Sequence, residues 1–481
     1  MTRLMVRSGV AQLAPVLLLV TLGLFHLDTK SFWLDETFSA QVALLDPEQF
    51  RTLVQTLEPN MGLYYLLLRG WRHFGAGDAW LRTFSVLTAS ATIVPLIAVG
   101  KRLVGRTPAI VGAVLFAANA FVVHHAQEAR SYALLLLLTV TATLAFVRLV
   151  ERPTAGRWTA YVILAALALY AHLFAAWVLV AHAVAWLPPA GRELSRRRLA
   201  AAFATIAVLA IPLALWLWAT PRRPDWIPPL TKGVIGSFVL EFAGGGGTAL
   251  VATMGLLVAL GMVNCRHHAD ENGRWALQLL LAWLFVPIVG TVVLSVIAAP
   301  ALVPRFMLPA VAPFALLAGA GIAGLRPTPL RAVALAATLA LASRGLYRWY
   351  TRPGEDWRGA VGYILASAKS ADAVILEPAW AWPGAAHYLR AAGPGAPRSR
   401  FPSTPWHAPD PLSGELGRTY RDWLGDRPPE DRRLWLVERL PGKASAGLVA
   451  PWLPVAIAEH YCIRATHVTT RIRVRLVERC R

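Results

Sequence analysis

The stretch Gln127-Glu-Ala-Arg-Ser-Tyr-Ala-Leu-Leu-Leu-Leu-Leu-Thr-Val-Thr-Ala-Thr-Leu-Ala-Phe-Val-Arg-Leu-Val-Glu-Arg152 decides the fold. Between Ser131 and Val150 it carries one charge, Arg148. A helix of about 20 such residues rises about 30 Å, the thickness of a bilayer's hydrocarbon core. Polar and ionic residues crowd one end, from Gln127 to Tyr132, and Arg148 and Arg152 mark the other. The stretch therefore reads as a membrane span with a polar mouth at one face and a basic anchor at the opposite one.

Similar runs recur on both sides of it. We read spans at 10–27, 80–100, 107–123, 131–150, 158–171, 173–188, 199–219, 247–264, 275–298, 304–325 and 329–346. Arg3 and Arg7 precede the first in the manner of a signal peptide, but Phe32-Trp33-Leu34-Asp35 follows it instead of a small-residue cleavage site, so we read it as a retained span. The composition agrees with this reading. Hydrophobic residues are 56% of the 481 and charged residues 15%, too little charge to coat a water-soluble surface of this size. A formal net charge of +20 taken alone suggests nucleic-acid binding. In a chain this apolar, basic residues held on the cytoplasmic side of a membrane explain it instead.

Alternate connections carry those residues: Arg3 and Arg7; Lys101, Arg102 and Arg106; Arg148, Arg152 and Arg157; Arg192 with Arg196–Arg198; Arg266 and Arg274; Arg326 and Arg331. They become the cytoplasmic loops, which requires 158–188 to be a pair of short helices turning near His172. Residues 1–350 then form a polytopic α-helical domain of about 11 transmembrane helices. Residues 351–481 hold 19 of the 47 basic and 13 of the 27 acidic residues, and form a small soluble α/β domain outside the cell membrane. Its helix is expected over Trp357–Ala368 and its strands at Ala373–Leu376, Leu434–Val437 and within Thr469–Val477, with a loop over Gly393–Pro411. Cys462 and Cys480 share that exported domain, where a disulfide can persist.

Charges beside a bilayer are costly, so those on the outer face are functional candidates. The first external loop supplies Asp35, Glu36 and Glu58, and the second His124, His125, Glu128 and Arg130 with Tyr132; Arg305 opens Arg-Phe-Met-Leu-Pro309. Each has a plain alternative: a hydrated acidic pair, a Glu128–Arg130 ion pair, interfacial histidines, an arginine on lipid phosphate. Together they suit transfer of a group from a phosphate-linked carrier. Asp35 can take a proton from an acceptor hydroxyl, and guanidinium groups match the oxygens of a departing phosphate.

Trp33-Leu-Asp-Glu36, Leu63-Tyr-Tyr-Leu-Leu-Leu68, Leu81-Arg-Thr-Phe-Ser85, Gln127-Glu-Ala-Arg-Ser-Tyr-Ala-Leu134 and Arg305-Phe-Met-Leu-Pro309 occur in an order that resembles the GT-C glycosyltransferases. The likeness is to the bacterial branch related to protein O-mannosyltransferases and to the lipid A aminoarabinose transferase, and it covers residues 1–350. It implies an inverting membrane glycosyltransferase that takes a sugar from a polyprenyl-phosphate donor and passes it to an extracytoplasmic lipid, glycan or protein acceptor. It further implies Asp35 as the catalytic acid/base element with Glu36 as companion, Glu128 and Arg130 in the active-site cavity, and Arg305 on the carrier phosphate; His124, Tyr132 and Tyr64 join these as donor-binding candidates. Glu355-Asp-Trp-Arg358 resembles the start of the exported tail in relatives. One motif departs: relatives often read His-Pro-Pro before Leu-Tyr-Tyr, and here Glu58-Pro-Asn-Met-Gly62 stands in its place. Some GT-C enzymes use a divalent cation, for which Asp35, Glu36 and Glu58 are the oxygen ligands at hand, although their spacing does not fix a site. The rival from another class is a polytopic transporter or lipid flippase, which should show inverted repeats with matching interrupted helices; none is found.

Overall fold

The structure, a computed structural model, describes residues 2–186, 196–220, 227–267, 271–369, 371–401, 431–440 and 460–480. The chain divides into two compact units. One comprises Met1–Leu27, Pro59–Leu67 and Arg82–Arg352; the other comprises Asp28–Glu58, Leu68–Leu81 and Pro353–Arg481.

The first unit is helical, and within the described residues every predicted span overlaps helix. Among the described residues, six helices are long and apolar enough to cross a bilayer: Asp78–Leu103, Tyr132–Glu151, Thr248–Arg266, Gly273–Ile297, Pro304–Gly324 and Thr328–Thr351. Two bent pairs, Arg106–Ala117 with Ala120–Ala126 and Arg196–Leu209 with Ile211–Ala219, raise the number to eight if each is one span. The remaining three predicted spans fall on shorter apolar helices, Gln12–Leu24, Ala155–Ala171 and Ala175–Trp186, with His172 at the break between the last two. Length and composition thus qualify six to eight crossings where the sequence reading counted about 11.

Pro304–Gly324 and Tyr132–Glu151 are the most deeply enclosed of the long helices. Val311–Gly324 packs on Arg106–Ala117 and on Thr248–His267. Glycine permits both contacts. A β-carbon on Gly319 would collide with the Pro108 carbonyl oxygen and the Gly112 backbone, and one on Gly321 with the Leu257 carbonyl oxygen. Small residues at crossings are how helices approach closely where lipid removes the hydrophobic drive between them. The outer surface is strongly apolar: Trp218 is 84% exposed, Ile297 75% and Val296 71%. Water would penalise such a surface and hydrocarbon does not, so the chain is a multi-pass membrane protein.

The second unit holds the sheet. Its strands are β1 Ala373–Glu377, β2 Arg398–Phe401, β3 Arg433–Arg439, β4 Tyr461–Thr469 and β5 Ile472–Arg479, in the order β2-β1-β3-β5-β4. β1 runs parallel to β2 and β3, while β5 is antiparallel to β3 and β4. β1 reads Ala-Val-Ile-Leu-Glu without polar alternation because both its faces are covered. Trp357, Val361 and Ile364 of helix Trp357–Ser367 and Trp382 and Leu389 of helix Trp382–Ala391 pack with Val374, Leu376, Trp435 and Val474. Leu434, Leu436 and Ile375 gather with Tyr461 and Val477 in a second cluster. β2 lies inside the stretch expected to be loop, and helix Trp382–Ala391 was not foreseen. Residues 393–397 of that stretch are loop as expected, and 402–411 lie outside the described residues. A disulfide joins Cys462 to Cys480.

Candidate active site

In the second unit, Asp35 and Glu36 occupy the first turn of helix Leu34–Val42, where exposed backbone N–H groups and the helix dipole favour negative charge. The Glu36 carboxylate is buried and accepts a hydrogen bond from Trp33 N at 3.3 Å, closing the turn that presents Asp35. Asp35 is half-buried. The segment leading into this turn is held by side chains that sequence reasoning gave no role. Glu355 accepts from Leu34 N at 3.2 Å and from Trp357 Nε1 at 3.1 Å, and pairs with Arg439. Asp78 receives Arg358 Nη2 at 2.8 Å, His387 Nε2 at 2.8 Å and the Tyr388 hydroxyl at 2.7 Å. The Tyr388 oxygen in turn accepts from Phe32 N at 2.9 Å. Arg358 donates to the Asp28 carbonyl oxygen at 3.0 Å, and its backbone N–H to Ser31 Oγ at 3.1 Å. Backbone from Asp28 to Leu34 is therefore fixed by the start of the C-terminal part, which gives the Glu355-Asp-Trp-Arg358 motif a physical role. Burial and the Asp78 carboxylate push the Tyr388 hydroxyl above its ordinary range, so it stays protonated and donates.

The first unit holds the remaining candidates. Asn119 interrupts the predicted span 107–123: its side chain accepts from Phe121 N at 2.8 Å and donates to the Phe242 carbonyl oxygen at 3.2 Å. That cap restarts the chain as helix Ala120–Ala126, bent 62° from the preceding one. His124 and His125 thus sit in its last turn, just ahead of the loop 127–131. Gln127 anchors that loop by donating to the carbonyl oxygens of Gly23 at 3.0 Å and Phe25 at 2.7 Å and accepting from Trp349 Nε1 at 2.6 Å.

Glu128 lies between the two histidines, 3.1 Å from His124 Nε2 and 2.8 Å from His125 Nδ1. Burial opposes its charge, but the neighbouring His124 and His125 outweigh burial and hold the carboxyl below its ordinary range. Arg130 is buried and donates to the Tyr65 hydroxyl at 3.2 Å. Tyr64, the tyrosine named from sequence, is 3.4 Å from Ser85 Oγ and packs on Phe84, while Ser85 Oγ donates to the Arg130 carbonyl oxygen at 3.4 Å. Arg305 is half-buried, with its guanidinium 5.7 Å from the Tyr132 ring centroid. Tyr132 meets His125 edge-on at 5.2 Å and lies 5.8 Å from His172. His172 was not among the sequence candidates. Burial, with the positive charges of Arg130 and Arg305, pushes it down to about 3. Two permanent cations therefore act on one neutral ring, and Arg130, Arg305, Tyr132 and His172 share a neighbourhood.

Among the described residues, the group of three side chains that brings metal-ligating atoms within 4.8 Å of one another is His124, His125 and Glu128. Among the described residues, Asp35, Glu36 and Glu58 form no such group.

No protein-family model matches the chain, and no curated protein matches it in sequence. Solved structures do. ArnT from Cupriavidus metallidurans bound to undecaprenyl phosphate is 13% identical with a TM-score of 0.61, and 97% of each chain is covered. The oligosaccharyltransferase AglB from Archaeoglobus fulgidus, in complex with an inhibitory peptide and a dolichol-phosphate, is 12% identical with a TM-score of 0.53, covering 90% of this chain and 69% of that one. The arabinofuranosyltransferase AftD from Mycobacteria is 16% identical with a TM-score of 0.53, covering 98% of this chain and 39% of its own. The fold anticipated from the five sequence motifs is thereby established: this chain has the fold of the GT-C glycosyltransferases.

Proposed function

We propose that the chain is a membrane glycosyltransferase that moves a sugar from a polyprenyl-phosphate carrier to an extracytoplasmic lipid, glycan or protein acceptor. One observation carries this reading: in a chain with little charge to spare, Arg130 is buried against the Tyr65 hydroxyl and Arg305 half-buried beside the Tyr132 ring that neighbours His172. Guanidinium groups kept near lipid at such cost suit a phosphate that must be gripped and released. The fold likeness to ArnT bound to undecaprenyl phosphate and to AglB with a dolichol-phosphate supports a lipid phosphate as the carrier. The alternation of basic loops supports placing the C-terminal part and the chemistry outside the cell membrane.

In the proposed reaction Asp35 accepts the proton of the acceptor hydroxyl while that oxygen bonds to the anomeric carbon. The bond from that carbon to the phosphate oxygen breaks with inversion, and the polyprenyl phosphate leaves as an anion stabilised by Arg130 and Arg305. Glu36 holds the turn that carries Asp35, and Tyr132 backs Arg305. The transporter or flippase reading has no observation in its favour.

The test is donor consumption by the purified protein, using a panel of polyprenyl-phosphate sugars with envelope extracts as acceptor. Wild type should release polyprenyl phosphate. Asp35→Asn should insert and purify normally but lose at least about 10²-fold in rate, the low end of what a positioned acid or base contributes. Wild-type turnover by Asp35→Asn removes Asp35 as the base, and a wild-type protein that moves donor across vesicles without cleaving it overturns the transferase reading.

A further inference from the structure

The His124-His125-Glu128 cluster has the composition and compactness of a metal centre. Its ligand atoms are already gathered: Glu128 Oε1 lies 3.1 Å from His124 Nε2 and Oε2 lies 2.8 Å from His125 Nδ1. In a tetrahedral site with bonds of about 2.0–2.1 Å, neighbouring ligand atoms stand about 3.3 Å apart. All three ligand atoms lie within 4.8 Å of one another, so an ion needs the two carboxylate contacts to open by a few tenths of an ångström and the imidazole nitrogens to settle about 3.3 Å apart. Two imidazoles and one carboxylate match a first-row transition ion, zinc above all, and suit magnesium or calcium poorly. Three protein ligands leave a fourth position open, and the partial exposure of the His124 side chain gives that position access.

The surroundings hold the ligands in place. His124 stacks on the Trp349 indole at a centroid distance of 3.7 Å and on His125 at 4.4 Å, and His125 is wedged edge-on between Phe121 and Tyr132. Such packing fixes ring orientation before an ion arrives, which is what outer-shell contacts do in metal sites. The charges facing the cluster are mixed: Arg305 opposes a cation, whereas Glu128 and Glu241 both act on His125 and favour one. The motif is local, His124 and His125 closing a short helix and Glu128 following in the loop, so the site does not depend on distant segments finding one another.

We propose that His124, His125 and Glu128 bind one divalent transition-metal ion, zinc being the best match, with an open position for an oxygen ligand. This does not depend on the glycosyltransferase reading, because its readout is metal and not turnover. Full-length protein in detergent, incubated with excess zinc and desalted, should retain about one zinc per chain by elemental analysis. Cobalt(II) titration should give the visible absorption of a four-coordinate centre with nitrogen and oxygen ligands. Glu128→Gln keeps the shape of the side chain and should weaken zinc affinity at least tenfold, as should His124→Ala, while Glu241→Gln, which removes only a neighbouring charge, should keep its metal with at most a small loss of affinity. Gel filtration confirms that each variant is folded. Wild-type protein that retains no zinc and gives no cobalt spectrum overturns the proposal and leaves a hydrogen-bonded triad. Undiminished zinc in monodisperse Glu128→Gln and His124→Ala overturns it equally, by placing the metal elsewhere.

Discussion

Replacing Glu355 with glutamine strands a buried charge and should destabilise the second unit. The Glu355 side chain is 3% exposed, with its two oxygens already divided between partners. Oε1 accepts Arg439 Nε at 3.0 Å, while Oε2 accepts Leu34 N and Trp357 Nε1. Glutamine keeps one acceptor. If the amide oxygen stays with Leu34 and Trp357, the amide N–H₂ faces the Arg439 guanidinium; if it turns to Arg439, the N–H₂ faces two N–H donors, one of them on an indole with no exposure at all. Removing one partner of a buried ion pair costs about 3–5 kcal/mol. Arg439 is 17% exposed and lies over the Trp380 ring, so part of its charge rehydrates and the low end, about 3 kcal/mol, applies. For folding units of about 150–250 residues that is a fall of roughly 6–12 °C in melting temperature. Tryptophan fluorescence in detergent at one fixed scan rate measures it, since membrane proteins often unfold irreversibly. The double variant Glu355→Gln/Arg439→Met removes the more buried of the two cations on Oε1, Arg471 at 3.7 Å being 41% exposed, and should melt above the single one. A single variant within about 2 °C of wild type, less than 1 kcal/mol, refutes the reasoning, as does a double variant that melts lower still.

Two other outcomes follow from the same reading of burial and connectivity. The Cys462–Cys480 bridge closes an 18-residue separation between neighbouring strands, so the double serine variant should lose about 3 kcal/mol, and thiol titration of unreduced, unfolded protein should find Cys265 alone reactive. His172 is held neutral in the folded protein, with its value near 3 against about 6.5 unfolded. Its contribution to stability is therefore complete above pH 6.5 and erodes as pH falls towards 3, by about 2 kcal/mol at pH 5; His172→Gln should flatten the fall in melting temperature between pH 6.5 and pH 5, and an unchanged slope counts against a buried neutral ring.

That the chain is a multi-pass membrane protein was legible because bilayer thickness imposes a length that the chain displays openly. What escaped is what side chains do to backbone. The run 107–123 has the length and apolarity of one span, yet Asn119 within it captures two backbone groups and turns the chain through 62°. Hydropathy counts Asn119 as one polar residue in seventeen; its force lies in being a helix cap. Strand β2 was hidden differently. Arg-Ser-Arg-Phe has no apolar alternation, and it pairs because β1 offers it a parallel edge.

The site was legible where a charge is costly for its position and illegible where contact decides. Glu128, Arg130 and Arg305 stand out because each is ionic beside long apolar runs. For His125 the sequence leaves a functional and an interfacial position both open; the structure buries its ring and binds it to Glu128. Tyr64 and Tyr65 are adjacent on one helix and so point about 100° apart; only the three-dimensional structure shows that Tyr65 meets the Arg130 guanidinium. The Asp35-Glu36 pair follows the same logic. Two neighbouring carboxylates are equal in sequence, but the helix start gives them different work. Glu36 is buried and closes the turn on Trp33 N. Asp35 sits one residue earlier and half-exposed, on a turn that Glu355 fixes through Leu34 N. A group that must meet an incoming hydroxyl needs accessibility as well as charge. On that criterion the proposed proton acceptor is Asp35 and its proposed positioning residue Glu36, so Glu36→Gln should leave more activity than Asp35→Asn.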